Sequence, residues 1–417
     1  MADMSRRAWR GWRWSGALAM GALALLAGTP VAAEPVLDQV VLVQRHGVRA
    51  PTQSPQVLQS WAARAWPSWP VPRGELTDKG AQVVSLIATA IRDHYVKAGL
   101  LGAEGCPGDS VRVWSDARDE RTRRSGRMMA QSFSPGCTAE VAHLADGVRD
   151  PLFRRVGKQC RYDPKALAEA VRAGFGPAGE LVDPASARAI AGVSAILRPE
   201  GPPLDPAAST FVASPTGVLL KGPLAIAADA AEIFLLEYAQ GVPLENVGWG
   251  LAASPAALAP LLAARDRTVW FSRQMPEVAR VQGAGMARVM LETLAGQPRA
   301  ASPAVTPGLK LLAFAGHDDN LSNMAGIFGV DWSLPGQPDK TAPATAFVLE
   351  RWRDPASGAV SLALRIWYAQ LDGMRSLDPA SVHAVPVSLP DCPGEALCPL
   401  EKLRARILPD LPVACGQ

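Results

Sequence analysis

Val36-Leu37-Asp38-Gln39-Val40-Val41-Leu42-Val43 is an apolar, β-branched run that gives way, after Gln44, to Arg45-His46-Gly47-Val48-Arg49-Ala50-Pro51-Thr52. The run reads as a buried strand and the polar octet as the loop at its carboxyl end. Two further segments repeat this grammar. Val111-Arg112-Val113-Trp114 leads into the polar stretch Asp116 to Arg124, followed by Met128, Met129 and Phe133 at helical spacing. Leu311-Leu312-Ala313-Phe314-Ala315 leads into Gly316-His317-Asp318, then Leu321, Met324 and Phe328. Each polar cluster falls at the carboxyl end of a strand, and in an open α/β sheet those ends face one crevice where ligands bind.

Working outward, Thr77 can cap a helix on which Val84, Ile87 and Ile91 recur, so a right-handed crossover between the first two strands is expected. Phe347-Val348-Leu349 and Leu362 to Ile366 flank the turn-rich Asp354-Pro355-Ala356-Ser357-Gly358 and read as a hairpin on the sheet. Residues 155–265 are Ala- and Pro-rich, with helical stretches at Lys165–Ala173 and Ala228–Ala239. The expected class is α/β, a mainly parallel sheet with helices on both faces, plus a smaller helical insertion domain. Residues 34–154 and 266–417 would form the α/β domain and 155–265 the insertion over the crevice.

The first 33 residues read as an export signal. Arg6, Arg7, Arg10 and Arg13 make a basic start, Ala17 to Ala27 is uncharged and apolar, and Val31-Ala32-Ala33 suits cleavage before Glu34. Ser5-Arg6-Arg7-Ala8-Trp9 also loosely resembles a twin-arginine signal, with the general secretory route as the default. No later stretch reads as a membrane span. A periplasmic or secreted protein is therefore expected, with no membrane attachment after cleavage.

Removing residues 1–33 takes away four Arg and one Asp, so Lys+Arg falls from 42 to 38 and Asp+Glu from 39 to 38. The remaining chain is formally neutral, which argues against a nucleic-acid partner. Six cysteines, Cys106, Cys137, Cys160, Cys392, Cys398 and Cys415, all follow the signal. In an oxidising compartment they read as three disulfides with 15 possible pairings, buried free thiols being the alternative.

The first cluster sets Arg45 and Arg49 around His46. Two planar guanidinium forks can hold a phosphomonoester while an imidazole nitrogen faces phosphorus. Their charges should lower the His46 pKa and keep it a neutral nucleophile in mild acid. Arg121, nearest the second turn, is a further phosphate clamp, whereas Arg123 and Arg124 read as solvated or paired charges. Asp318 supplies a general acid, its pKa raised by bound phosphate, and His317 can donate to a phosphate oxygen. His317-Asp318-Asp319-Asn320 has no companion cluster at ligand spacing, so no metal and no cofactor are expected. His94, His143 and His383 lack such company and read as structural or surface residues.

Joined together, Arg45 to Thr52 and Gly316-His317-Asp318 resemble the histidine acid phosphatases. Trp66-Pro67-Ser68-Trp69-Pro70-Val71, Asp119-Glu120-Arg121-Thr122-Arg123 and Trp332-Ser333-Leu334-Pro335-Gly336-Gln337-Pro338 are similar to stretches of the bacterial periplasmic phytases. The resemblance spans the chain after the signal and implies a two-step, metal-free hydrolysis. His46 would attack phosphorus and Asp318 protonate the leaving oxygen; Arg45, Arg49, Arg121 and His317 would bind the phosphate, with Thr52 at its edge. It also implies the pairs Cys106–Cys137, Cys160–Cys415 and Cys392–Cys398. A monomer acting on a small phosphate monoester is expected.

Two departures bear on substrate. Gln53 stands where phytases of this type often carry Lys, and Asp319 where Thr or Ser is usual. Losing a cation and gaining an anion disfavours a substrate as charged as phytate. Lys221-Gly222-Pro223-Leu224 resembles the glucose-1-phosphatases, which makes a sugar phosphate the alternative. Glu232, on the helical stretch, is a candidate pocket residue against the ordinary expectation of a solvated helix face. A cytosolic phosphoglycerate mutase-type enzyme is disfavoured by the export signal, and a non-catalytic phosphate-ester binder by the carboxylate of Asp318.

Overall fold

The computed structural model describes residues 34–415 except 139, 155–159, 177–178 and 298–305, so the expected export signal lies outside the described residues. The first strand, β1 (Val36–Arg45), is buried on both faces along most of its length. Its two-residue period sends Val40 and Leu42 into one core and Val41 and Val43 into another. Among the described residues nine further strands follow: β2 (Val111–Ser115), β3 (Val141–Ala142), β4 (Thr210–Ser214), β5 (Gly217–Lys221), β6 (Leu311–Gly316), β7 (Ala346–Arg353), β8 (Val360–Ala369), β9 (Val382–Val387) and β10 (Cys398–Pro399).

The main sheet runs β10-β8-β7-β1-β6-β2-β3, with β9 also on β8. β1, β6, β2 and β3 are mutually parallel, and β7 begins an antiparallel half that contains the expected β7–β8 hairpin. The class is α/β, as the sequence indicates. The two strands of the expected crossover, β1 and β2, are parallel in one sheet, and β6 lies between them. All six β6 residues are buried, and a strand without a polar face belongs at the centre of a sheet covered on both sides.

Helices Asp78–Lys97 and Glu120–Phe133 cover one face through Val84, Ile87, Ile91, Met129 and Phe133. Helices Ala284–Leu294, Asp318–Phe328 and Leu400–Ile407 cover the other through Met290, Leu321, Met324 and Leu403. Ile87 is fully buried, so its truncation to Ala should cost about 2–5 kcal/mol. Thr77 caps the first of these helices by accepting from the Gly80 N–H, and its own N–H donates to the Val48 carbonyl at 3.0 Å. The helix therefore starts against the polar octet. Only glycines permit that approach: a Cβ on Gly47 would sit 2.0 Å from the Gly80 carbonyl oxygen, and one on Gly80 2.0 Å from that of Val48.

Beyond residue 160, helices Pro164–Ala173 and Pro184–Leu197 start at the caps Asp163 and Asp183, each followed by proline. The Pro223–Gln240 helix is buried over nearly its whole length, including Glu232 and Glu237. The β4–β5 hairpin stands apart from the main sheet. Helix Ala263–Val269 runs through the expected boundary at 265. It belongs to the segment Leu244–Gln274, apolar enough by composition to cross a membrane. That segment is not one rod: Val247, Gly248 and Trp249 are non-helical, and Leu258, Leu262, Ala264 and Phe271 are core residues. Three disulfides, Cys106–Cys137, Cys160–Cys415 and Cys392–Cys398, are the pairs implied by the family resemblance.

Candidate active site

The sheet register brings the three polar clusters together. Arg45 is opposite Gly316 and Ser115 opposite Ala315, so the strand ends of β1, β6 and β2 are level. The His46 N–H donates to the Gly316 carbonyl at 2.8 Å, and the Asp116 N–H to that of Ala315 at 3.1 Å. The His46 and His317 rings consequently meet edge-on, with centroids 5.6 Å apart.

His46 is buried, and its Nδ1 lies 2.8 Å from the Gly47 carbonyl oxygen. A carbonyl only accepts, so this contact assigns the proton of a neutral ring to Nδ1 and leaves the Nε2 lone pair free. Burial drives the His46 pKa well below 6.5, and Arg121, Arg45, His317 and Arg49 lower it further. The ring is thus held neutral, chiefly by burial, with the flanking arginines adding to the effect.

Arg45 has a fully buried side chain. Its Nη2 donates to Glu232 Oε1 at 2.6 Å, and its Nη1 reaches Asp339 Oδ2 at 3.4 Å and the Thr341 carbonyl. Arg49 Nη2 donates to Glu232 Oε2 at 3.2 Å. Glu232 is 6% exposed, which overturns the solvated-face expectation: its helix is apolar around most of its circumference, so no face is left for water. Burial pushes the Glu232 carboxyl upward, but Arg265, Arg49 and Arg45 outweigh it and bring the pKa down to about 2.

Arg121 donates to the Gly74 carbonyl at 3.2 Å and to Asp119 Oδ2 at 2.8 Å. Thr52 and the Arg121 guanidinium converge on Gly74, the Thr52 methyl lying 3.6 Å and Arg121 Nη1 3.8 Å from the point a Cβ there would occupy. Gln53 bonds Asp229 on the Pro223–Gln240 helix, where burial and then Glu232 raise the Asp229 pKa.

His317 Nε2 lies 2.7 Å from Asp116 Oδ2, so one ring nitrogen of the residue expected to donate to phosphate faces a carboxylate. Asp318 Oδ2 accepts from Arg265 Nη2 at 2.8 Å and from Arg273 Nη1 at 2.5 Å. Burial favours the neutral acid, yet Arg273, Arg45 and Arg265 hold Asp318 well below 3.8. Its protein neighbours therefore oppose the rise expected from bound phosphate. Asp319 lies 2.9 Å from Arg273 Nε and 3.8 Å from Arg154 Nη1. The anion gained at this position is therefore paired with arginines.

The sequence pattern of the histidine phosphatase superfamily (branch 2) matches residues 36–171. The phytase AppA of Escherichia coli (strain K12) is 32% identical over 370 residues, 84% of either chain. The chain belongs to this superfamily. By family it is a phosphoric monoester hydrolase. A glucose-1-phosphatase of Salmonella typhimurium is 26% identical over 386 residues, covering 88% of this chain and 90% of its own. The structure of the Hafnia alvei phytase in complex with myo-inositol hexakis sulphate superposes with a TM-score of 0.86 at 30% identity, over 93% of this chain and all of the other.

Sequence reasoning missed Asp116, Arg154, Arg265, Arg273 and Asp339. Asp116 carried a usable signal, since it opens the polar cluster after β2. The others sit outside the three motifs, and only the folded chain brings them to the site. Asp116, Asp119 and His317 place ligand atoms within 4.8 Å of one another, a grouping that could hold a metal ion. Arg154 lies 3.6 Å from Asp116 and 3.7 Å from Asp119, so a protein cation already accompanies those carboxylates.

Proposed function

We propose that the protein is an exported acid phosphomonoesterase that hydrolyses phosphate monoesters, phytate among them, through a phosphohistidine formed on His46 Nε2. The observation that carries the reading is the His46 environment: a buried neutral ring, its Nδ1 turned to the Gly47 carbonyl, beside Arg45, Arg49 and Arg121. These arginines would hold the transferred phosphoryl group and stabilise charge as the transition state forms. Thr52 would lie at the edge of that phosphate and His317 would share its Nε2 proton between Asp116 and a phosphate oxygen.

In the first step the His46 Nε2 lone pair attacks phosphorus as the ester P–O bond breaks, and Asp318 gives its proton to the leaving oxygen. In the second, water attacks phosphorus, Asp318 takes the water proton, the N–P bond breaks and phosphate leaves. Because arginines hold Asp318 down, its protonation needs acid or the negative charge of the substrate, which supports an acidic optimum. Glu232 and Arg265 reach the site from the region expected as the insertion, supporting the view that this region closes the crevice. Three disulfides support an oxidising, periplasmic or secreted location.

A second reading, a sugar-phosphate phosphatase, is favoured by the charge balance. Arg45, Arg49, Arg121, Arg154, Arg265 and Arg273 face Asp116, Asp119, Glu232, Asp318, Asp319 and Asp339, so these groups leave no surplus of cations for a polyanion. Turnover of phytate, glucose 1-phosphate and an aryl phosphate at acid pH separates the two. His46→Ala should abolish phospho-enzyme and lower kcat at least about 10³-fold. Asp318→Asn should still form phospho-enzyme from an aryl phosphate. Full activity in His46→Ala would overturn the mechanism, and phytate turnover near zero would remove phytate from the substrates.

A further inference from the structure

Resting on that reading of Asp318 as the general acid, we infer that Arg265 is a positioning residue that holds the Asp318 carboxylate and sets how readily it takes up the proton destined for the leaving group. Arg265 lies on helix Ala263–Val269 and is 5% exposed. Its Nη2 is 2.8 Å from Asp318 Oδ2 and 3.3 Å from Glu232 Oε1, and its Nε is 3.2 Å from Asp339 Oδ2. Glu232 and Asp339 also bind Arg45, the residue before the nucleophile. Arg45, Glu232, Arg265 and Asp339 thus close a ring of alternating charge, and Asp318 is attached to it through Arg265. The ring links the nucleophile's side of the site to the acid's side.

Arg273 completes the grip on the same oxygen. In a regular α-helix, residues eight apart are turned by about 80° around the axis. Residues Trp270–Gln274 form a π-turn closed by Met275 N–H to the Trp270 carbonyl at 2.8 Å. Its extra residue brings Arg265 and Arg273 close to a seven-residue spacing, within about 20° of one face. Both guanidinium groups bind Oδ2 and neither binds Oδ1. One carboxylate oxygen is therefore anchored while the other is left for the proton.

Other charged groups around Asp318 include Arg45 from β1, Glu232 from the Pro223–Gln240 helix, Arg121 from the Glu120–Phe133 helix and Asp319 on its own segment, where the titratable His317 is held toward its neutral form by burial. Among the described residues Arg265 Nη1 has no hydrogen-bond partner, which leaves it for a phosphate oxygen. A dianionic phosphate competing for Arg265 and Arg273 would weaken their hold on Asp318 and add a like charge beside it. Both changes promote uptake of one proton from solvent, so the acid is armed when substrate is present.

The test compares kcat against pH for Arg265→Gln and the wild type on two substrates, glycerol 2-phosphate and p-nitrophenyl phosphate. The alkoxide leaving group needs a proton and the nitrophenolate does not. In the variant the alkaline limb for glycerol 2-phosphate should move up by about one pH unit or more, because a cation has been removed from Asp318. The limb for p-nitrophenyl phosphate should stay in place. Arg265→Lys, which restores the charge, should bring the first limb back. If Arg265→Gln does not fold, Arg265→Met combined with Asp339→Asn removes one charge of each sign and should displace the limb in the same direction by a smaller amount, because Arg265 contacts Asp318 directly and Asp339 does not. An unmoved glycerol 2-phosphate limb in the folded variant overturns the inference. Phospho-enzyme trapping in Asp318→Asn with p-nitrophenyl phosphate separates the causes: its presence beside an unmoved limb sinks the role of Arg265 alone, whereas its absence sinks the underlying mechanism.

Discussion

Glu232 Oε1 lies 2.6 Å from Nη2 of Arg45, pairing a carboxylate of the Pro223–Gln240 helix with the guanidinium that precedes His46. The other carboxylate oxygen reaches Arg49, so one acid orients both arginines of the first motif. Glu232→Gln would leave buried cations short of a counter-charge and should destabilise the fold by about 3 kcal/mol near neutrality. The folded pKa of Glu232 is depressed from 4.5 to about 2. Its ionic contribution is therefore fully present above pH 4.5 and is lost as pH falls toward 2. Denaturant unfolding of both proteins from pH 7 to pH 2 checks this; a stability gap that fails to narrow in acid contradicts it.

Asp319 engages Arg273 and Arg154, so its removal should release positive potential toward the crevice. Asp319→Thr is expected to raise kcat/KM for phytate about five- to tenfold relative to glucose 1-phosphate. The gain should shrink as ionic strength rises. Steady-state kinetics at two salt concentrations decide it, and an equal change for both substrates counts against it.

The contact between the loop after β1 and the helix behind it leaves no room for a methyl group. Gly47→Ala would place a Cβ 2.0 Å from a backbone oxygen of Gly80, which cannot move without shifting the start of helix Asp78–Lys97. A loss of more than about 2 kcal/mol is expected, together with a fall in kcat because His46 is the adjacent residue. Thermal unfolding and turnover measured on one preparation test both effects.

Cys160 and Cys415 close a loop with a sequence separation of 255 residues and tie the end of the chain to the start of the helical region. Replacing both with Ser should lower stability by about 2–5 kcal/mol, chiefly by freeing the unfolded chain. Activity per folded molecule should persist, since neither cysteine lies among the groups around His46. An unchanged melting temperature would contradict the first expectation, and lost turnover in the folded variant the second.

How far the sequence could be read follows from the range of each signal. Val40 to Val43 and Leu311 to Ala315 are continuous apolar runs, and each polar cluster directly follows its strand. Strand identity, the α/β class and the convergence of His46, Arg121 and His317-Asp318 are therefore local properties that one chain displays by itself. Position within the sheet is different, because the insertion of β6 between β1 and β2 is a choice of neighbours that no period encodes. The charges divide in the same way. Arg45, His46 and Asp318 were legible as chemistry, but their buried partners Glu232, Arg265, Arg273 and Asp339 come from distant segments. Only the folded chain decides which opposite charges leave water together. That is why Glu232, expected at an ordinary helix surface, holds the arginines beside His46, and why the anion added at Asp319 is paired. The sequence by itself determined which candidate groups lie at the strand ends; tertiary structure decided their protonation, because pKa is set by burial and by neighbours that meet only on folding.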